Sequence, residues 1–171
     1  MIVSFFFHEG RQKIVLRLSL AVFVFLLGAL EVCGAESPRM KNAEAGTIAV
    51  ITIQRGNFSG VREPLQTVAR TPAEWESLWK RHVSNQNPPS PPPMIDFGAQ
   101  MAAGVFLGEK STGGYEVEIT KAELKNSTLY IYYIETNPSR GGATIQAMTQ
   151  PFHLVKLPKH DARVVFSNLT P

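Results

Sequence analysis

The run Tyr115-Glu-Val-Glu-Ile-Thr120, the pair Lys125-Asn126 and the run Thr128-Leu-Tyr-Ile-Tyr-Tyr-Ile134 follow one another closely in the chain. In the first, Tyr115, Val117 and Ile119 alternate with Glu116, Glu118 and Thr120. A period of two puts alternate side chains on opposite faces, so this run reads as a strand with one buried and one wet face. Lys125-Asn126 reads as a turn. The second run is apolar or aromatic at nearly every position, which marks a central strand with partners on both sides.

The same reading extends in both directions. Downstream, Phe152 to Leu157 and Val164 to Phe166 are short strand candidates, and 137–142 is a loop. Upstream, Met101 to Leu107 is a short apolar run, Thr47 to Ile53 is rich in β-branched residues, and 61–69 is a weaker strand candidate. One helix interrupts the pattern. Thr71-Pro72-Ala73-Glu74 is a capping box with proline at the first helical position, and Trp75, Leu78 and Trp79 then share one face. The helix is expected to end near His82, with the tryptophans in the core. Asn87-Pro-Pro-Ser-Pro-Pro-Pro93 follows as an extended loop, either a stiff spacer or a polyproline ligand for a partner. The expected fold is mainly β (α+β): an antiparallel sheet, curled or sandwiched, with one amphipathic helix packed against it.

The N-terminal part differs. Leu18 to Leu30 is apolar, Arg11, Lys13 and Arg17 precede it, and Cys33-Gly34-Ala35 follows with small residues. Basic flank, apolar centre and small-x-small exit describe a secretory signal over 1–35. The alternatives are an uncleaved membrane anchor, for which the apolar run is short, and a lipoprotein carrying lipid on Cys33. Residues 36–45 read as a flexible lead-in, and 46–171 as a single domain. The protein is therefore expected to be exported, to a periplasm, the cell envelope or the medium. Cys33 is the only cysteine among 171 residues, so the domain after Ala35 holds neither a disulfide framework nor a cysteine metal site. That part carries 14 Lys and Arg against 12 Asp and Glu, net +2, without a basic stripe, which argues against nucleic acid.

No catalytic residue, cofactor site or metal site is assigned. Gly108-Glu109-Lys110-Ser111 lacks the spacing of a phosphate loop and precedes a strand. Ser77-Leu-Trp-Lys80 and Lys110-Ser-Thr-Gly113 imitate two β-lactamase elements, but the Ser-Asp-Asn element is missing. His82, His153 and His160 have no metal-ligand spacing, and the carboxylates form no sequence-encoded pair. Three Asn-x-Ser/Thr triplets, at Asn57, Asn126 and Asn168, match the glycosylation pattern.

Two glycine-containing segments stand out: Gly108 to Tyr115, and Asn137-Pro-Ser-Arg-Gly-Gly-Ala-Thr144 with the following Thr149-Gln-Pro151. They are either plain hairpin connections or loops presented to a partner. Ser111, Thr112, Gly113, Gly114, Tyr115, Pro138, Arg140 and Gly141 are the candidate partner-binding residues.

The order Trp75-x-x-x-Trp79, Asp96-Phe97, Gly108-x-Lys110-x-Thr112-Gly113-Gly114-Tyr115-x-Val117-x-Ile119, Pro138-x-x-Gly141 and Thr149-Gln150-Pro151 resembles the PrcB C-terminal domain family. That family takes its name from a lipoprotein subunit of a spirochaete surface protease complex. The resemblance spans roughly residues 60–167. It implies a non-catalytic exported domain that associates with a protease and stabilises it or helps it mature. A second reading is a small β-scaffold protease inhibitor, since chagasin-like inhibitors also use a Thr-Gly loop. An enzyme with an unobvious constellation is the third.

Overall fold

The computed structural model describes residues 46–139 and 144–170. The leader over 1–35 with Cys33, the lead-in over 36–45, and the loop positions Arg140 and Gly141 lie outside the described residues. Eight strands and one helix follow in chain order among the described residues: β1 (Gly46–Ile48), β2 (Ile51–Gly56), β3 (Pro64–Ala69), α1 (Pro72–His82), β4 (Gln100–Leu107), β5 (Glu116–Lys125), β6 (Thr128–Thr136), β7 (Phe152–Pro158) and β8 (Arg163–Asn168). They form two four-stranded sheets, ordered β1-β5-β6-β8 and β2-β7-β4-β3.

The β5–β6 hairpin is the unit the sequence announces. Asn126 and Ser127 have φ of 47° and 60°, the positive-φ pair of a two-residue hairpin turn whose twist matches that of the strands. Val117 and Ile119 face inward as the alternation predicts. A register shift between Ile119 and Lys121 then changes the parity, so that Ala122 and Leu124 continue the inward face. Tyr115 lies just before the strand and is half-buried. β6 has a partner on each side, antiparallel β5 and parallel β8. The parallel pair departs from the all-antiparallel expectation. β7 belongs to the other sheet, so β6, β7 and β8 form a crossover in which a strand takes the place usually held by a helix.

The single strand expected over Thr47 to Ile53 is two strands. β1 pairs with β5 and β2 with β7. The chain passes from one sheet to the other at Ala49-Val50, and Ile48 and Val50 pack on the core between the sheets. A β-branched run specifies extended backbone and leaves the sheet unspecified.

The two sheets and the helix make three layers, with the β2-β7-β4-β3 sheet in the middle. Met101, Ala103, Val105 and Leu107 of β4 face the other sheet; Ala102 and Phe106 face α1. Burial on both faces explains why β4 reads as a continuous apolar run. Gly104 sits on the helix side, where an added Cβ would come within 2.7 Å of the Leu154 side chain. Each large side chain so buried contributes about 1.5–3 kcal/mol.

α1 is capped largely as the sequence predicts. The Thr71 hydroxyl accepts from the Glu74 N–H at 3.3 Å, and Glu74 accepts from the Arg70 N–H at 2.7 Å, one residue before the cap. Trp75 and Trp79 are buried. Their indole N–H groups donate to the carbonyls of Pro93 (3.0 Å) and Ser90 (2.8 Å), so the proline-rich segment is a strap laid over α1.

Candidate functional site

The segments singled out by the sequence converge at one end of the sandwich. Lys110 and Thr149 exchange backbone hydrogen bonds, 2.8 Å from Lys110 N–H and 3.0 Å from Thr149 N–H. The Thr149 hydroxyl, itself buried, donates to the Thr112 carbonyl at 2.8 Å. Gly113 N–H donates to the Ile145 carbonyl at 2.9 Å, and Gln150 N–H to the Asn57 carbonyl at 2.8 Å. The Gln150 amide also donates to Glu109 at 3.2 Å. The Thr-Gly-Gly-Tyr and Thr-Gln-Pro segments, far apart in sequence, thus form one hydrogen-bonded cluster together with the end of β2.

The glycines in this cluster have distinct jobs. Gly108 has φ of 70°, and a Cβ there would lie 2.8 Å from the Arg62 carbonyl oxygen. Gly114 has φ of 86°, and its Cβ would lie 2.9 Å from the Cβ of Pro138. Gly113 has no such constraint; its nearest neighbour would be Ile145 at 3.5 Å. Two glycines therefore meet the backbone requirement of the left-handed region, and Pro138 closes over the second.

Of the candidate residues, Ser111 and Gly114 are exposed, Thr112, Tyr115 and Pro138 are half-buried, and Gly113 is buried. The Lys110 ammonium stands 5.2 Å from the centre of the Tyr115 ring. Thr112 and Gly113 are tied down onto Thr149 and Ile145 and act as struts.

What projects from the cluster is apolar. Phe58, Ile145 and Met148 are 63%, 76% and 58% exposed. The bonds from Gly113 to Ile145 and from Gln150 to Asn57 bring all three to the same end. None of the three is among the candidate partner-binding residues named from the sequence. Their signal was present: single large apolar residues inside the loop segments Gly56 to Gly60 and Thr144 to Met148, outside any alternating pattern.

The buried histidines are committed to packing. His153 lies between the sheets, where Nδ1 accepts from the Ile119 N–H at 2.8 Å and Nε2 is 2.9 Å from the Thr52 hydroxyl. His82 ends α1 on its buried face, 3.0 Å from the Ser59 hydroxyl and 3.3 Å from the Gln54 amide oxygen, with its ring 4.3 Å from that of Phe152. Burial pushes His82 down to about 4. For His153, burial, aided by the nearby Arg55 cation, does the same, to about 4.

On the side where β1 passes into β2, Arg55 holds both Glu116 and Glu118 at 2.8 Å, joining the edge of one sheet to the other. The opposite side carries a cleft of about 440 Å³. There the Gln66 amide donates to the Tyr133 hydroxyl at 2.7 Å, and Lys110 and Glu135 also line the cleft.

No curated protein and no solved structure matches the chain. The segment from β4 through the loop cluster to the end of β7 has a family match, which takes in the Thr-Gly-Gly-Tyr entry and Thr149-Gln150-Pro151 and leaves out Trp75, Trp79 and Asp96-Phe97. Residues 101–158 match the family model described as PrcB C-terminal, the family that these loop segments resemble.

Proposed function

We propose that this chain is an exported protein-interaction module that docks on a protease through the loop end of its sandwich. The observation that carries the reading is the exposed trio Phe58, Ile145 and Met148 on a loop cluster whose backbone is already hydrogen-bonded. A surface with large apolar side chains on ordered loops loses little conformational entropy on docking, and such side chains at the centre of an interface supply most of its energy. Ser111, Gly114, Tyr115 and Pro138 belong to the same loop cluster; Arg140 and Gly141 follow Pro138 in sequence, outside the described residues. The protease as partner rests on the family match over residues 101–158; the exported location rests on the leader composition.

The test is capture of partners by the tagged full chain from envelope extract of its own cell, read by mass spectrometry. A protease recovered in fixed stoichiometry, and lost when Phe58, Ile145 and Met148 are replaced together by serine, supports the reading. Recovery unaffected by that triple change moves the interface elsewhere. Slowing of the recovered protease by stoichiometric added chain would instead favour the inhibitor reading.

A further inference from the structure

We propose that the outer edge of β3 accepts an extended segment of a protein partner as an added strand. Among the described residues β3 ends its sheet, with β4 as its hydrogen-bonded neighbour on one side only. Along such an edge alternate N–H and C=O groups point away from the sheet and template a further strand. Natural edges are usually guarded by charge, a bulge or a covering element. The β2 edge of the same sheet is guarded in this way, by a register shift between Thr52 and Gln54 and by the Arg55 bridge to Glu116 and Glu118. β3 has the sequence Pro64-Leu-Gln-Thr-Val-Ala69, without a charged side chain, and its register with β4 is uninterrupted from Pro64 to Ala69. Pro64 guards one end of it, and Arg70, just past the other end, reaches across to the carbonyls of His160 and Ala162; the stretch between them carries no such device among the described residues.

A groove flanks this edge on each face of the sheet. On the helix side a groove of about 430 Å³ is lined by Leu65, Thr67, Ala73 and Leu78, with Glu74 and Arg81 beside them. On the other side lies the cleft of about 440 Å³ with Gln66, Tyr133, Glu135 and Lys110. The Tyr133 hydroxyl accepts from Gln66 and keeps its own proton to donate to a group entering that cleft. An added strand sends successive side chains to opposite faces, so each groove would receive every second residue. The occupant is therefore an extended peptide in which apolar side chains, for the Leu65–Leu78 groove, alternate with hydrogen-bonding or charged ones, for the Tyr133 cleft. Main-chain bonds supply affinity and the two grooves supply selectivity. This surface is separate from the apolar trio and does not depend on it.

The test is hydrogen exchange on the full chain with a panel of capped hexapeptides. Leucine, isoleucine, valine or phenylalanine alternates in them with threonine, glutamine, arginine or glutamate. The expected result is that at saturation the amides of β3 exchange about 10-fold or more slowly, for a subset of the panel. Thr67→Lys or Ser77→Lys, each placing a cation in the helix-side groove, removes the effect; Ser77 lies on the exposed surface of α1, so the second variant folds even where the first does not. Absence of β3 protection across the panel overturns the proposal, as does protection confined to other elements. Protection of β3 that rises with chain concentration without peptide also overturns it, and assigns the edge to a second copy of this chain.

Discussion

The backbone N–H of Ile119 in one sheet donates to Nδ1 of His153 in the other at 2.8 Å. A backbone amide only donates, so Nδ1 carries no proton; the hydrogen sits on Nε2, facing the Thr52 hydroxyl at 2.9 Å. Among the described residues β1 pairs with Ala122, Glu123 and Leu124 of β5. His153 therefore gives a partner to a β5 amide beyond the reach of β1, and pins the sheets together there.

Replacing His153 by leucine keeps the volume and removes the acceptor. The Ile119 N–H is then buried without a partner, and the chain loses about 1–3 kcal/mol of stability, read as a lower urea midpoint.

Protonation attacks the same bond. His82 and His153 are neutral in the fold, with values lowered to about 4 from an ordinary 6.5. Between these values the unfolded chain binds the extra protons. Stability is thus complete above pH 6.5 and falls as the pH drops towards 4, by on the order of 2–3 kcal/mol per ring. Urea titrations at a series of pH values should show this slope, and His153→Leu should show about half of it.

The doublet Gly113-Gly114 should split under mutation. Gly114→Ala combines a left-handed backbone with a 2.9 Å approach to Pro138 and should cost about 1–3 kcal/mol. Gly113→Ala meets only ordinary contact with Ile145 and should change stability by less than about 1 kcal/mol. Thermal melting of the two variants separates the structural glycine from its neighbour.

Serine at Phe58, Ile145 or Met148 removes apolar surface that is already in water. Each change should leave unfolding within about 0.5 kcal/mol of the parent, while capture of the partner weakens. A large loss of stability would show that these side chains serve packing instead.

Much of the fold is legible locally. The β5–β6 hairpin, the capped helix and the buried tryptophans follow from period, turn residues and a capping box, all of which act within a few residues. What escapes is set by distance in the chain. Nothing in Thr47 to Ile53 tells which sheet each half joins, and Val164 to Phe166 does not encode a parallel partner. Similarly, the alternation that sets His153 opposite Phe152 and Leu154 is correct, yet both faces of β7 are buried, so facing away from them means facing another core. The loop cluster was half legible. Its glycines and Thr-Gln-Pro segment stand out in sequence, whereas Phe58, Ile145 and Met148 gain meaning only when β2 and the loop before β7 meet.

The strap over α1 gives the molecule two optical channels. Both tryptophans of the chain belong to α1, and all four tyrosines fall between Tyr115 and Tyr133. Indole emission therefore monitors whether the proline segment stays seated, while tyrosine absorbance follows the hairpin in the other sheet. Coincident traces on heating would mean that the three layers melt as one cooperative unit. An earlier red shift of the indoles alone would mean that the outer layer peels first and leaves the sandwich standing.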